Sequence, residues 1–148
     1  MTGRQTSPER WLIVKGSGAL RDLREVPHDC GLILLPEVSA RQRVGIRRLA
    51  RKQRLSLVEE KSGASFRVHN MRELRQALGK RSAMILISPI YPTSSHPDWQ
   101  PMPRMRAATL ARLARRKAVA LGGMNEQLYA KIAPLGFIGW AGISAFRT

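Results

Sequence analysis

Apolar residues along this chain fall into short dense runs separated by longer stretches with helical spacing. The runs at 11–14 (WLIV), 30–35 (CGLILL), 55–59 (LSLVE), 65–69 (SFRVH), 83–91 (AMILISPIY), 118–121 (AVAL) and 137–146 (FIGWAGISAF) have the length and residue types of strands. Between them lie amphipathic segments. Residues 19–26 form a short one, with Leu20 and Leu23 on one side. Residues 39–54 open on Ser39 with Gln42 in capping-box spacing; Ile46, Leu49 and Ala50 face inward, and Arg43, Arg47, Arg48 and Arg51 face outward. Asn70 caps 71–78, with Glu73 at the box position, Met71, Leu74 and Leu78 as the packing stripe and Gly79 as the stop. Residues 104–117 bury Leu110, Leu113 and Ala114, and residues 125–135 bury Leu128, Ile132 and Leu135 before Gly136. Strands alternating with helices predict a parallel sheet with crossover helices. Strands apolar nearly throughout predict burial on both faces.

In such sheets ligands gather at the carboxyl ends of the strands. Three stretches stand there. Pro92-Thr93-Ser94-Ser95-His96-Pro97 is a polar loop after a buried strand. Gly122-Gly123, with Asn125 opening a helix, is either a tight turn or a phosphate cup, since glycines let backbone N–H groups approach an anion and a helix start adds positive potential. His69 sits where a strand gives way to a helix. A histidine there either bonds the backbone or shuttles protons, the side chain whose ordinary titration lies nearest neutral pH. His96 likewise reads as a solvent-exposed loop histidine or as a phosphate partner.

The last third of the chain resembles the thiamine phosphate synthase/TenI family. The resemblance rests on Ser88-Pro89-Ile90-Tyr91-Pro92-Thr93-Ser94-Ser95-His96, on Ala120-Leu121-Gly122-Gly123-Met124 and on Ile143-Ser144-Ala145, three motifs in order with the family's spacing. It implies an α/β, TIM-barrel-like fold. It implies that Gly122, Gly123, Ile143 and Ser144 hold a ligand phosphate, and that Thr93, Ser94 and Ser95 face the substrate; Arg67, standing where the synthases have a small polar residue, is a substrate-side candidate that either blocks the pyrimidine or binds an anion. His96 stands where the family often has a diphosphate-binding lysine, and His69 stands where its tautomerase branch has an acid–base histidine. Of the family's Q-x-R-E-K, only Glu37 remains.

The departures from that pattern are as informative. The family's synthases use Mg2+ to neutralise a departing diphosphate. Val58-Glu59-Glu60 stands in place of the family's N-D, and the acidic residue after the fourth strand has no counterpart. Adjacent glutamates on a strand point to opposite faces, so at most one of Glu59 and Glu60 faces a site. The expectation is a site without metal or other cofactor. One helix–strand–helix unit is missing between Glu60 and Ala64, leaving about seven strands in a shortened barrel. Unpaired edges attract partners, so a homodimer, or coverage of the gap by a terminal segment, is expected.

Composition fits this picture. The 148 residues make a single domain with residues 1–10 as a flexible lead, fewer than the ~200 of an ordinary barrel. The net charge is +16. It reads either as an Arg-rich solvated exterior or as nucleic-acid affinity; aromatics make up only 5% of the chain, which gives no base-stacking platform, and nucleic acid is not favoured. One cysteine, Cys30, excludes an internal disulfide. No apolar run approaches the ~18 residues of a membrane span, and 11–14 is too short for a signal peptide, so a cytoplasmic protein is expected. Three functions remain: a divergent synthase, a tautomerase-like enzyme or non-catalytic binder of a thiazole phosphate or thiamine phosphate, and a nucleic-acid-binding protein on a repurposed barrel.

Overall fold

The computed structural model describes residues 8–15, 23, 26–60, 63–94 and 96–142. Most of the expected lead over 1–10, the expected helix over 19–26 apart from Leu23 and Val26, the turn residues Lys61 and Ser62, and the site candidates Ser95, Ile143 and Ser144 lie outside that set.

Seven strands form one all-parallel sheet: β1 (Arg10–Val14), β2 (Cys30–Leu34), β3 (Ser56–Glu59), β4 (Ser65–Val68), β5 (Met84–Ile87), β6 (Ala118–Leu121) and β7 (Gly139–Gly142). Their spatial order is β3-β2-β1-β7-β6-β5-β4. The first and last strands pair, Arg10 opposite Trp140 and Leu12 opposite Gly142, which curls the sheet into a nearly closed barrel. The ladder missing from the ring is the one between β3 and β4, its two edges. A parallel crossover needs about a dozen residues; residues 60–64 are too few, so the unit expected to be absent is absent here.

Among the described residues four α-helices cover the sheet: α1 (Ala40–Gln53), α2 (Met71–Gly79), α3 (Arg104–Leu113) and α4 (Glu126–Ile132). Strand alternation splits the apolar residues into two layers. Trp11, Ile13, Ile33, Leu86, Val119 and Ala141, drawn from five strands, pack together and fill the barrel. Leu12, Leu32, Leu34, Ile46 and Ala50 pack α1 outside β1 and β2, while Ile85, Ile87, Leu110, Ala118 and Trp140 anchor α2, α3 and α4 outside the other half. Gly31 is required by the interior, because a Cβ there would meet the Trp11 ring.

The caps fall where local chemistry puts them. Ser39 Oγ accepts from Gln42 N and Gln42 returns the bond, a complete capping box. Asn70 and Asn125 accept from Glu73 N and Leu128 N. Other details differ from expectation. Arg43 is buried, not outward: its guanidinium reaches Glu59 and the carbonyls of Leu35 and Val38. Met71 and Leu113 are exposed, while Ala77 and Ala111 take the buried positions. After α2 it is Arg81, not Gly79, that takes the left-handed backbone. β5 stops at Ile87 because Pro89 cannot donate to a ladder. α4 stops at Ile132 because Pro134 lacks the N–H to continue it, and a short 3₁₀ turn, Ala133–Leu135, succeeds it. Among the described residues no helix is long and apolar enough to cross a membrane.

Candidate functional site

A cavity of about 330 Å³ opens at the carboxyl ends of the strands. Most strands contribute residues at or just past their carboxyl ends. β1 delivers Lys15, β4 delivers Arg67 and His69, β5 delivers Ser88, β6 delivers Gly122 and Gly123, and β7 delivers Gly142. The loop after β5 adds Thr93, Ser94 and His96 to the wall. Seven residues proposed from sequence thus meet in one space: Arg67, His69, Thr93, Ser94, His96, Gly122 and Gly123. Glu37 does not join them; it stands exposed in the turn after β2, where its charge helps hold the Arg67 guanidinium protonated.

His69 is oriented by the backbone. Its Nδ1 lies 2.8 Å from the Ser88 carbonyl, with Ser88 Oγ at 3.3 Å. A carbonyl only accepts, so Nδ1 carries the hydrogen and donates it, which leaves Nε2 as the nitrogen free to exchange a proton. The Trp99 ring completes the arrangement. It stacks on His96 with centroids 3.9 Å apart and planes 8° apart, and meets His69 edge-on at 5.8 Å. Successive turns, His96 N to Thr93 O and Trp99 N to His96 O, hold this loop over the mouth.

The glycine pair has a packing reason as well as a chemical one. Gly122 and Gly123 have φ of +105° and +60°, which glycine adopts freely. A Cβ on Gly123 would strike the Pro92 carbonyl, and Tyr91 N donates to Gly122 O at 3.1 Å. The turn is therefore the seat on which the loop after β5 rests, as well as one wall of the cavity.

Two clasps sit at the gap side. Glu59 accepts from Arg43 Nη1 at 2.9 Å and from Arg47 Nη2 at 2.8 Å, and these bonds, Arg47's foremost, hold its carboxyl below the usual glutamate range. Glu60 accepts two bonds from Arg67, which raise the Arg67 guanidinium above its ordinary value.

Sequence comparison decides the family: the thiamine monophosphate synthase model matches residues 41–146. The chain belongs to the thiamine monophosphate synthase family. Among solved structures it is similar to a thiamine phosphate pyrophosphorylase from Pyrococcus furiosus, with a TM-score of 0.74 at 14% identity over 97% of this chain and 89% of that one. That likeness supports the barrel fold. No curated protein sequence matches this chain significantly.

In this member of the thiamine monophosphate synthase family the two glutamates beside the gap are committed to ion pairs. Glu59 and Glu60, standing where the family's metal-side residues would fall, are both held by arginines. Among the described residues no group of three or more histidine, cysteine, aspartate and glutamate side chains could hold a metal ion. Three wall features escaped sequence reasoning. Lys15 was findable as the first polar residue after the β1 run. The Ser88 contact to His69 was not, because it joins residues from separate segments, and neither was the His96–Trp99 stack, which depends on how one loop folds.

Proposed function

We propose that this protein binds a phosphorylated thiazole, or thiamine phosphate, in the cavity at the strand carboxyl ends, without help from Mg2+. The observation that carries the reading is the convergence of Arg67, His69, Thr93, Ser94, His96 and the Gly122-Gly123 turn on one space. Its volume, about 330 Å³, suits a small heterocycle. The Gly122-Gly123 backbone would take the phosphate, His96 and Lys15 would face the anion, and Trp99 would lie against the ring. The arginine-held glutamates speak against diphosphate departure on a metal, so condensation of two substrates is the weaker form of this reading.

A tautomerase-like activity is favoured by one observation, the orientation of His69 by the Ser88 carbonyl. With Nδ1 occupied, Nε2 is presented as an acid–base group, which proton transfer on a bound thiazole requires.

Isothermal titration with thiamine phosphate and with thiazole phosphate, each with and without Mg2+, tests both. The expected result is saturable binding of at least one ligand, indifferent to Mg2+ and weakened about tenfold or more in His96→Ala. Proton exchange on the thiazole that disappears in His69→Gln, with binding retained, supports the tautomerase form. Failure of both ligands to bind, or turnover of the two substrates that requires Mg2+, overturns the proposal.

A further inference from the structure

Among the described residues, the four non-glycine residues with left-handed backbone are all arginines: Arg54, Arg81, Arg115 and Arg116, at φ between 50° and 63°. That conformation disfavours side chains other than Gly, Asn and Asp. All four come just after helix carboxyl ends, in the loops that lead into β3, β5 and β6. A parallel barrel puts every such loop on one face, the face opposite the cavity. The three loops, 54–55, 80–83 and 114–117, hold six basic residues (Arg54, Lys80, Arg81, Arg115, Arg116 and Lys117) and no acidic one. Five of the six are exposed, and none has a carboxylate partner among the described residues.

The helix dipole rewards basic side chains in a helix's last turn. It accounts for Arg51, Lys52 and Arg112 there. It accounts less well for α2, which has no basic residue in its last turn and yet is succeeded by Lys80 and Arg81. We propose that this basic face binds the phosphate backbone of nucleic acid without reading sequence, a role separate from the cavity's.

Four of the six are arginines, whose planar fork matches phosphate oxygens. Among the described residues the one exposed tryptophan, Trp99, lies at the opposite end of the barrel, so the face offers no stacking platform for bases. Nor does it offer much to a bilayer. Of the large apolar residues that are exposed among the described residues, only Leu113 and Ile138 stand near these loops, each less than half exposed. Backbone contact is the mode such a surface supports, and its strength would fall steeply with salt.

The test compares two triple variants that remove the same charge. Arg81→Asn/Arg115→Asn/Arg116→Asn strips the face with a residue that tolerates the left-handed backbone; Arg41→Gln/Arg48→Gln/Arg72→Gln strips exposed arginines from α1 and α2. Binding to a fluorescein-labelled DNA duplex of mixed sequence is read by anisotropy across a salt series, with circular dichroism confirming that both variants fold. The expected result is at least tenfold weaker binding for the loop variant and a salt slope shallower by about 3, with the helix variant within about twofold of the parent. Equal losses in the two variants, or no binding by the parent, would overturn the proposal. So would retention on phosphatidylserine vesicles without retention on the duplex.

Discussion

Arg67 and Glu60 face each other as a two-pronged ion pair, Nε to Oε1 at 2.9 Å and Nη2 to Oε2 at 3.1 Å, beside the gap where the barrel's sheet has no ladder. Glu60 comes immediately after β3 and Arg67 lies on β4, the two edge strands. The pair does by side chains part of what a missing strand would do by backbone. Arg67 is 41% exposed and Glu60 15%, so solvent screens the attraction. A double-mutant cycle with Glu60→Gln and Arg67→Gln should give a coupling of about 1 kcal/mol by urea unfolding, shrinking in high salt. A coupling indistinguishable from zero would show that the gap closes without them.

The second clasp makes a statement about acid stability. Glu59 is held below its ordinary value of 4.5, chiefly by its bond to Arg47, with Arg43 adding to it. A carboxyl depressed in the folded state binds fewer protons there than in the unfolded chain. Its contribution is therefore complete above the ordinary glutamate value and is lost as pH falls through the depressed one. Glu59→Gln also leaves the buried Arg43 with a weaker partner. It should cost about 2 kcal/mol at neutral pH, and the difference from the parent should fade as pH falls below the ordinary glutamate value and through the depressed one. Urea unfolding at a series of pH values checks this. A cost that stays constant down to pH 3 would mean that Glu59 contributes by shape and not by charge.

How much of this was legible in the chain depends on the range of the interaction. Ser39, Asn70 and Asn125 were readable as caps because a cap bonds three residues along. β2, β5 and β6 were readable because burial on both faces writes itself as an unbroken apolar run, whereas the edge strands β3 and β4 are only partly buried and carry polar residues. The missing unit was readable only against the family's pattern, which has a helix, a strand and another helix between Glu60 and Ala64. Arg43 was not, since helical spacing puts it beside Arg47 on the wet side, and only the packing of α1 against the turn after β2 supplies its carbonyl partners. The candidate site divides the same way. Gly122-Gly123 and His69 announce themselves by residue type at strand ends. The His96–Trp99 stack depends on how a proline-rich loop folds back, which no period encodes.

The glycine turn separates packing from chemistry in one variant. Gly123→Ala places a Cβ against the Pro92 carbonyl at a φ of +60°. The expected cost is about 1–3 kcal/mol of stability, with thiamine phosphate binding weakened more than tenfold because the loop carrying Thr93, Ser94 and His96 loses its seat. Unfolding and titration on the same preparation measure both. Unchanged affinity in a folded Gly123→Ala protein would remove the turn from the ligand site.

Trp99 offers a direct optical readout of the cavity. The other two tryptophans, Trp11 and Trp140, are 5% and 2% exposed and sit in the core, whereas Trp99 is 45% exposed and lies on the cavity wall against His96. A heterocycle entering the cavity would exchange the indole's contact with water for contact with the ligand, or displace the His96 ring, and either changes its emission. Titration with thiamine phosphate should therefore move the emission maximum or intensity of the parent protein in step with calorimetric saturation. Trp99→Phe should abolish the optical change while calorimetry still detects binding within about fivefold, because phenylalanine keeps an aromatic face against His96. An emission change that survives in Trp99→Phe would assign the signal to a buried tryptophan, and the ligand would then be acting on the core and not at the mouth.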